Sequence, residues 1–166
     1  MRIGIGYDSH RFGGKGPLKL GGVSIPHDRG LDGHSDADVL LHAIADALFG
    51  AIGAPDIGQQ FPPGEERTRG ADSSLFIRTA VEQVRNKGLR IGNIDSVVIA
   101  DAPKLSDHKD TMQRSIAAML GIQSEMVGVK AKTTEGFDPR DGGISARAVV
   151  LLLPAGDSDR KGKAKP

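Results

Sequence analysis

The chain has 166 residues, 38% apolar and 26% charged, with a formal net charge of +1 and no cysteine. A single domain of that size buries a sufficient core without disulfides, and any metal it holds must take nitrogen and oxygen ligands rather than thiolates. The near-even charge, one Tyr and no Trp exclude a basic, aromatic nucleic-acid face, and no apolar run approaches the ~18 residues of a membrane span.

MRIGIGYDSH has no apolar signal core and no Arg/Ser-rich transit character, so a cytoplasmic location is expected. Residues 2–8 alternate as a strand, and LKLGGVSIP (18–26) predicts a hairpin turning at Gly21-Gly22. HSDADVLLHAIADALFGAIG (34–53) predicts the strongest helix. Ser35 would N-cap it, Asp36 and Asp38 suit the positive end of its dipole, and Gly53 ends it. Residues 54–70 read as a long loop, and a second helix covers about 72–87. A strand follows at 94–100, then a third helix capped by Ser106 and closed by Gly121. Further strands are expected at 126–134 and 144–153, separated by GFDPRDGG. The fold class is therefore α+β, an α/β two-layer arrangement with a mixed four-stranded sheet on helices plus the early hairpin. One domain spans 1–153. The polar tail, 154–166, reads as disordered, its Arg160, Lys161, Lys163 and Lys165 outnumbering Asp157 and Asp159.

GYDSH (6–10) ends the first apolar run on a carboxylate and an imidazole. Period-two geometry puts Asp8 and His10 on one face. His42 lies within the first helix, off its apolar stripe, and a helix laid across the sheet brings it to them. One carboxylate and two imidazoles with an open position suit a catalytic metal, zinc by default. Asp46, one turn on, is a candidate to orient the His42 ring. A partly buried histidine salt-bridged to Asp46 is the alternative that composition alone favours.

GHSDAD (33–38) joins a loop to a helix start, where His34 and Ser35 would meet an anion. Ordinary capping accounts for Ser35 but leaves His34 unexplained. KAKTTE (130–135) sets hydroxyls, amines and a carboxylate at a strand end. Thr133 and Thr134 suit phosphoryl oxygens, and Glu135 suits a hard cation shared with them. A plain exposed strand end is the alternative. DAPKL (101–105) would wrap a ligand with backbone groups, Lys104 supplying charge.

In this order, GYDSHRF, GHSDADVLLHAIADALFG, DIGQQFP, GADS, IADAPKL and VKAKTTEGF resemble the 2-C-methyl-D-erythritol 2,4-cyclodiphosphate synthase family over residues 1 to about 153. The resemblance implies a lyase of non-mevalonate isoprenoid biosynthesis that is a homotrimer with active sites between subunits. It implies Zn²⁺ on Asp8, His10 and His42, and Mg²⁺ or Mn²⁺ with the substrate diphosphate near Glu135. His34 and Thr133 would stabilise the transition state, with Ser35 also meeting the substrate. Asp56, Ile57, Gly58 and Phe61 would hold the methylerythritol part. Ala100, Asp101, Ala102, Pro103, Lys104, Leu105 and Ser106 would form the cytidine pocket. Lys132, Thr133, Thr134 and Glu135 would meet the phosphates, and Phe137 and Arg140 match the last loop. This chain has Pro63, Gly64 and Glu65 where the family usually begins with Asp, and two fewer residues between Glu135 and Phe137. Lys132 stands for Thr or Ser, and Asp101 for Gln or Glu.

The implied reaction is intramolecular. The 2-phosphate of 4-diphosphocytidyl-2-C-methyl-D-erythritol 2-phosphate attacks its own β-phosphorus, closing the 2,4-cyclodiphosphate and expelling CMP. No general base is needed for an already ionised phosphate, so alignment and charge neutralisation are the main tasks. A zinc phosphohydrolase and a non-catalytic trimeric binder are the competing readings. Neither nucleic acid nor membrane is expected as a partner.

Overall fold

The chain's long strands form because apolar side chains alternate along them, and the sheet they make carries its helices on one face. The computed structural model describes residues 1–33, 35–62, 70–136 and 142–156. The strands are β1 (Arg2–Lys15), β2 (Leu18–Leu20), β3 (Val23–Ile25), β4 (Arg29–Leu31), β5 (Leu89–Ile99), β6 (Val127–Lys132) and β7 (Gly143–Pro154). The helices are α1 (Val39–Ala51), α2 (Ile57–Gln60), α3 (Ser74–Asn86) and α4 (Lys109–Leu120). The main sheet runs β4-β1-β7-β5-β6, with β5 and β6 parallel and its other pairs antiparallel. The four expected strands are thus present, and the three-residue β4 extends the edge beside β1.

β1 continues past the apolar run because its polar residues keep the alternation. Asp8 pairs with Ala146 and His10 with Ile144 on β7, and the register slips only between Phe12 and Gly14. β5 starts before residue 94, passing a register irregularity between Ile91 and Asn93. The expected hairpin is β2–β3, and Gly21 and Gly22 both take positive φ, as a tight two-residue turn requires.

Leu40, Leu41, Ile44, Leu48 and Phe49 of α1 are fully buried with Ile77, Met112 and Ile116 from the other helices. α1 presses on β1 where the strand has no side chains. A β-carbon on Gly4 would lie 1.9 Å from the Ala47 carbonyl oxygen, and one on Gly6 2.0 Å from that of Ala43. The opposite face of β1 shows Ile3, Ile5 and Tyr7 to solvent, beside Val149 of β7.

Two expected helix starts are corrected. Ser35 does not cap α1; the cap is Asp38, whose carboxylate accepts the Leu41 N–H. The cause is Ala37, which takes φ +56 and turns the chain between Ser35 and the helix, at roughly 1–2 kcal/mol for a residue with a β-carbon. Ser106 does not cap α4 either. Its hydroxyl bonds Asp107, and residues 106–108 form a short 3-10 turn ahead of the helix. Gly121 closes α4 in the left-handed conformation as expected. The loop at 54–70 contains α2, capped by the Asp56 carboxylate accepting from Gln59 N.

Candidate active site

Asp8 and His10 share the face of β1 that carries Gly4 and Gly6, so they meet α1 one turn before the Ala43 contact. His42 occupies that turn. Asp8 Oδ2 lies 2.8 Å from His42 Nδ1 and 3.0 Å from His10 Nε2, and the two ring nitrogens are 3.2 Å apart. Burial alone would push the Asp8 carboxyl up, but the hydrogen bonds and charge attraction of His10 and His42 hold it well below the usual carboxylate range. The bond to Asp8 correspondingly raises His10, against burial.

The outer nitrogen of His10 fixes its inner one. Nδ1 lies 2.8 Å from the Asp32 carbonyl oxygen, which only accepts, so Nδ1 keeps its proton, and Nε2, which donates to Asp8 while no ion is bound, is the nitrogen left to give a lone pair to one. One carboxylate oxygen and two ring nitrogens, all within 4.8 Å of one another, fit a divalent ion of the zinc type.

Asp46 does not orient His42, contrary to the expectation. Its carboxylate accepts the backbone N–H of Ile57 at 2.8 Å, and burial raises its carboxyl despite that bond. The outer nitrogen of His42 instead meets two serine hydroxyls: Nε2 is 2.9 Å from Ser73 Oγ and 3.1 Å from Ser35 Oγ. Ser73 is fully buried, and its hydroxyl donates to the Asp36 carboxylate. Ser73 falls inside GADS, yet a serine before a helix reads as a cap, which hides this placement.

The segment expected to hold the sugar alcohol lies against the same cluster. Phe61 packs edge-on to Phe76 at 4.7 Å between centroids, and Phe76 packs edge-on to His42 at 5.3 Å. Asp46 ties Ile57 to α1, so Asp56, Ile57 and Gly58 are anchored by the helix that supplies His42.

A second group sits at the ends of β5 and β6. A cavity of about 270 Å³ is lined by Ala100, Asp101, Pro103, Lys104, Leu105 and Ser106, and by Ala131, Lys132, Thr133 and Lys109. Lys109, which opens α4, was not anticipated, because a lysine after Ser-Asp-His carries no signal beyond a solvated helix start. Ala102 precedes the cis peptide to Pro103 and does not line the cavity. Asp101 accepts from both the N–H and the hydroxyl of Thr134, at 2.8 and 2.7 Å. Thr133 donates to Glu135 Oε1 at 2.7 Å, and Glu135 holds a positive φ of 53°. None of the triad lines this cavity. His10 instead borders a broader cleft of about 620 Å³ with Asp101 and Thr134. His34, residues 63–65, Phe137 and Arg140 lie outside the described residues, as does the tail from 157.

A mixed sheet with helices on one face, and a carboxylate and two imidazoles converging where strand meets helix, make an α+β fold with a site that could hold a metal ion. The YgbB family model matches residues 1–153, and the chain belongs to that family. It is 54% identical over 155 residues to the 2-C-methyl-D-erythritol 2,4-cyclodiphosphate synthase of Moorella thermoacetica, covering 92% of this chain and 95% of that protein. Identity to the Erwinia tasmaniensis protein of the same name is 52% over 157 residues, covering 93% and 100%. Among solved structures, it is similar to a 2C-methyl-D-erythritol-2,4-cyclodiphosphate synthase in its CDP-bound form. The TM-score is 0.85 at 39% identity, with 92% of this chain and 100% of that one covered. IspF of Plasmodium falciparum, in a CDP complex, gives 0.81 at 35% identity, covering 93% and 97%.

Proposed function

We propose that this chain converts 4-diphosphocytidyl-2-C-methyl-D-erythritol 2-phosphate to 2-C-methyl-D-erythritol 2,4-cyclodiphosphate and CMP, as a lyase of non-mevalonate isoprenoid biosynthesis. The observation that carries this is the convergence of Asp8, His10 and His42 in a chain about half identical to synthases of that name. The new bond joins a 2-phosphate oxygen to the β-phosphorus. The bond that breaks links the β-phosphorus to the oxygen it shares with the α-phosphate, and that oxygen leaves with CMP.

Asp8, His10 and His42 would hold Zn²⁺, and Glu135 with the substrate diphosphate would hold Mg²⁺ or Mn²⁺. When bound, these ions would supply Lewis-acid polarisation and a template for aligning the phosphates. The chain's own groups do the rest. The 100–106 turn holds the cytidine, with CDP-bound relatives supporting this use of the cavity. Lys104 faces that cavity and adds positive charge near the leaving CMP. Asp56, Ile57, Gly58 and Phe61 grip the methylerythritol part, keeping the 2-phosphate in line with the β-phosphorus. His34 and Thr133 stabilise the charge that develops in the transition state. Lys132, Thr134, Phe137 and Arg140 complete the phosphate-binding surface, and Ser35 meets the substrate beside the triad.

The enzyme works as a homotrimer in the cytoplasm, with each site shared between subunits. Two features support the assembly. Ile3, Ile5 and Tyr7 are 67%, 71% and 53% exposed on one sheet face, and the triad lies outside the lining of the 270 Å³ cavity. No helix among the described residues is long and apolar enough to cross a membrane.

The test is phosphorus NMR of the protein with the cytidyl substrate, Zn²⁺ and Mg²⁺. CMP and a cyclic diphosphate are expected, and linear phosphate products would instead mark a hydrolase. His42→Ala should lose stoichiometric zinc, and full retention by metal analysis would refute the triad.

A further inference from the structure

We propose that Ser73, oriented by Asp36, is a positioning residue that selects which nitrogen of His42 faces the metal. The proposal rests on the metal reading of the Asp8, His10 and His42 triad, and it concerns residues outside that ligand set.

The argument counts protons. The Asp36 carboxylate has none to give, so it can only accept, and the single proton of the Ser73 hydroxyl goes to it. With that proton committed, Ser73 Oγ is left with lone pairs alone toward His42. His42 Nε2, 2.9 Å away, must therefore carry the ring proton and donate it. A neutral imidazole with a proton on Nε2 has a bare lone pair on Nδ1. That is the nitrogen 2.8 Å from Asp8 Oδ2 and 3.2 Å from His10 Nε2. His10 is set in the matching sense by the Asp32 carbonyl. With a cation at the centre, both rings thus turn their inner lone pairs to it beside the Asp8 carboxylate.

Ser35 Oγ, 3.1 Å from Nε2, fits the same scheme. It accepts the Ala37 N–H at 3.2 Å, and its own proton has Ser73 Oγ within 3.4 Å. The backbone is shaped around this contact. Ala37 takes φ +56, sending Asp36 toward Ser73 and Asp38 toward the hairpin, while Asp36 N donates to Ala71 O and joins the two segments. Ser73 makes no cap bond to its own helix, so its buried hydroxyl is spent on Asp36 and His42.

The experiment is Co²⁺ titration of the full chain against a competing chelator, with the visible spectrum of the loaded protein and a urea midpoint for each variant. Ser73→Ala should still take one Co²⁺ at saturation, with affinity lowered about 10–100-fold and the Co²⁺ bands shifted. Asp36→Ala frees the serine proton to turn toward Nε2 and should weaken binding in the same direction with the same spectral change. Asp36→Asn keeps an acceptor and should recover most of the loss. Because Asp36 is only half-buried, that pair carries the test if Ser73→Ala fails to fold. Wild-type affinity and spectrum in Ser73→Ala, or in Asp36→Ala where that pair carries the test, would overturn the positioning role and leave the triad standing. Absence of Co²⁺ binding by the wild type would overturn the triad and this role together.

Discussion

Gly6 of β1 and Ala43 of α1 touch backbone to backbone: a β-carbon on Gly6 would sit 2.0 Å from the Ala43 carbonyl oxygen. That contact sets the height of the helix over the strand, and His42, the preceding residue, reaches Asp8 only at that height. Gly6→Ala must lift α1 or bend β1. The expected cost is about 1–3 kcal/mol from overpacking. A urea titration reads it as a lower midpoint, and weaker Co²⁺ binding should accompany it. An unchanged midpoint would mean that the helix–strand distance has slack.

Asp38 joins three segments through one buried carboxylate. It accepts N–H groups from Gly21 at 2.8 Å, Gly22 at 2.7 Å and Leu41 at 3.1 Å. Asp38→Ala removes a helix cap and strands the N–H groups of the hairpin turn, at roughly 2–4 kcal/mol in all. Burial raises the Asp38 carboxyl despite those bonds, so the folded state holds its proton to higher pH than the unfolded chain does. Stability from this group is then full below the ordinary carboxylate value and lost as pH rises through the raised one. Asp38→Asn lacks that loss. Its stability relative to the wild type should improve across that rise, and denaturation curves at several pH values would refute this if the difference stayed flat.

Period put Asp8 and His10 on one strand face and His42 off the stripe of a strongly apolar helix, but it left a His42–Asp46 pair open, and the ordered family motifs singled out the three together. The hairpin and the helix ends at Gly21, Gly22 and Gly121 were legible for the same local reason. What sequence hid was assignment among equivalent polar groups. Ser35, Asp36, Asp38, Ser73 and Ser106 are all good caps, yet Asp38 caps α1 past the positive φ of Ala37, while Ser35 and Ser73 turn to His42. Asp46 shares a helix face with His42, yet Ile57 N competes for it and wins. Short elements escaped too: α2 is one turn, and the extension of β1 to Lys15 runs through polar residues that mask its alternation.

Asp46 separates the proposed metal site from the segment proposed to hold the sugar alcohol. Its bond to Ile57 N fixes α2, and it contributes no bond to His42 among the described residues. Asp46→Ala should therefore bind Co²⁺ as the wild type does, while KM for the cytidyl substrate rises about tenfold, the equivalent of one charge-assisted hydrogen bond. Steady-state kinetics beside a metal titration tests both halves. A loss of metal affinity would return Asp46 to the role of orienting His42.

Ile5 tests the assembly. Its side chain stands 71% exposed on the sheet face opposite the helices, between Ile3 and Tyr7 on the same strand face. Replacing it by glutamate removes nothing from the core, so Ile5→Glu should fold with a near-normal urea midpoint and bind Co²⁺ through its own triad. Three carboxylates brought together at a closed apolar interface would be costly, both by desolvation and by like-charge repulsion. The variant should therefore sediment as a monomer. If each site needs the triad of one subunit and the cavity of another, turnover should fall with the mass. Monomeric protein with full turnover would place the whole site within one chain, and an Ile5→Glu protein of unchanged mass would move the interface off this face.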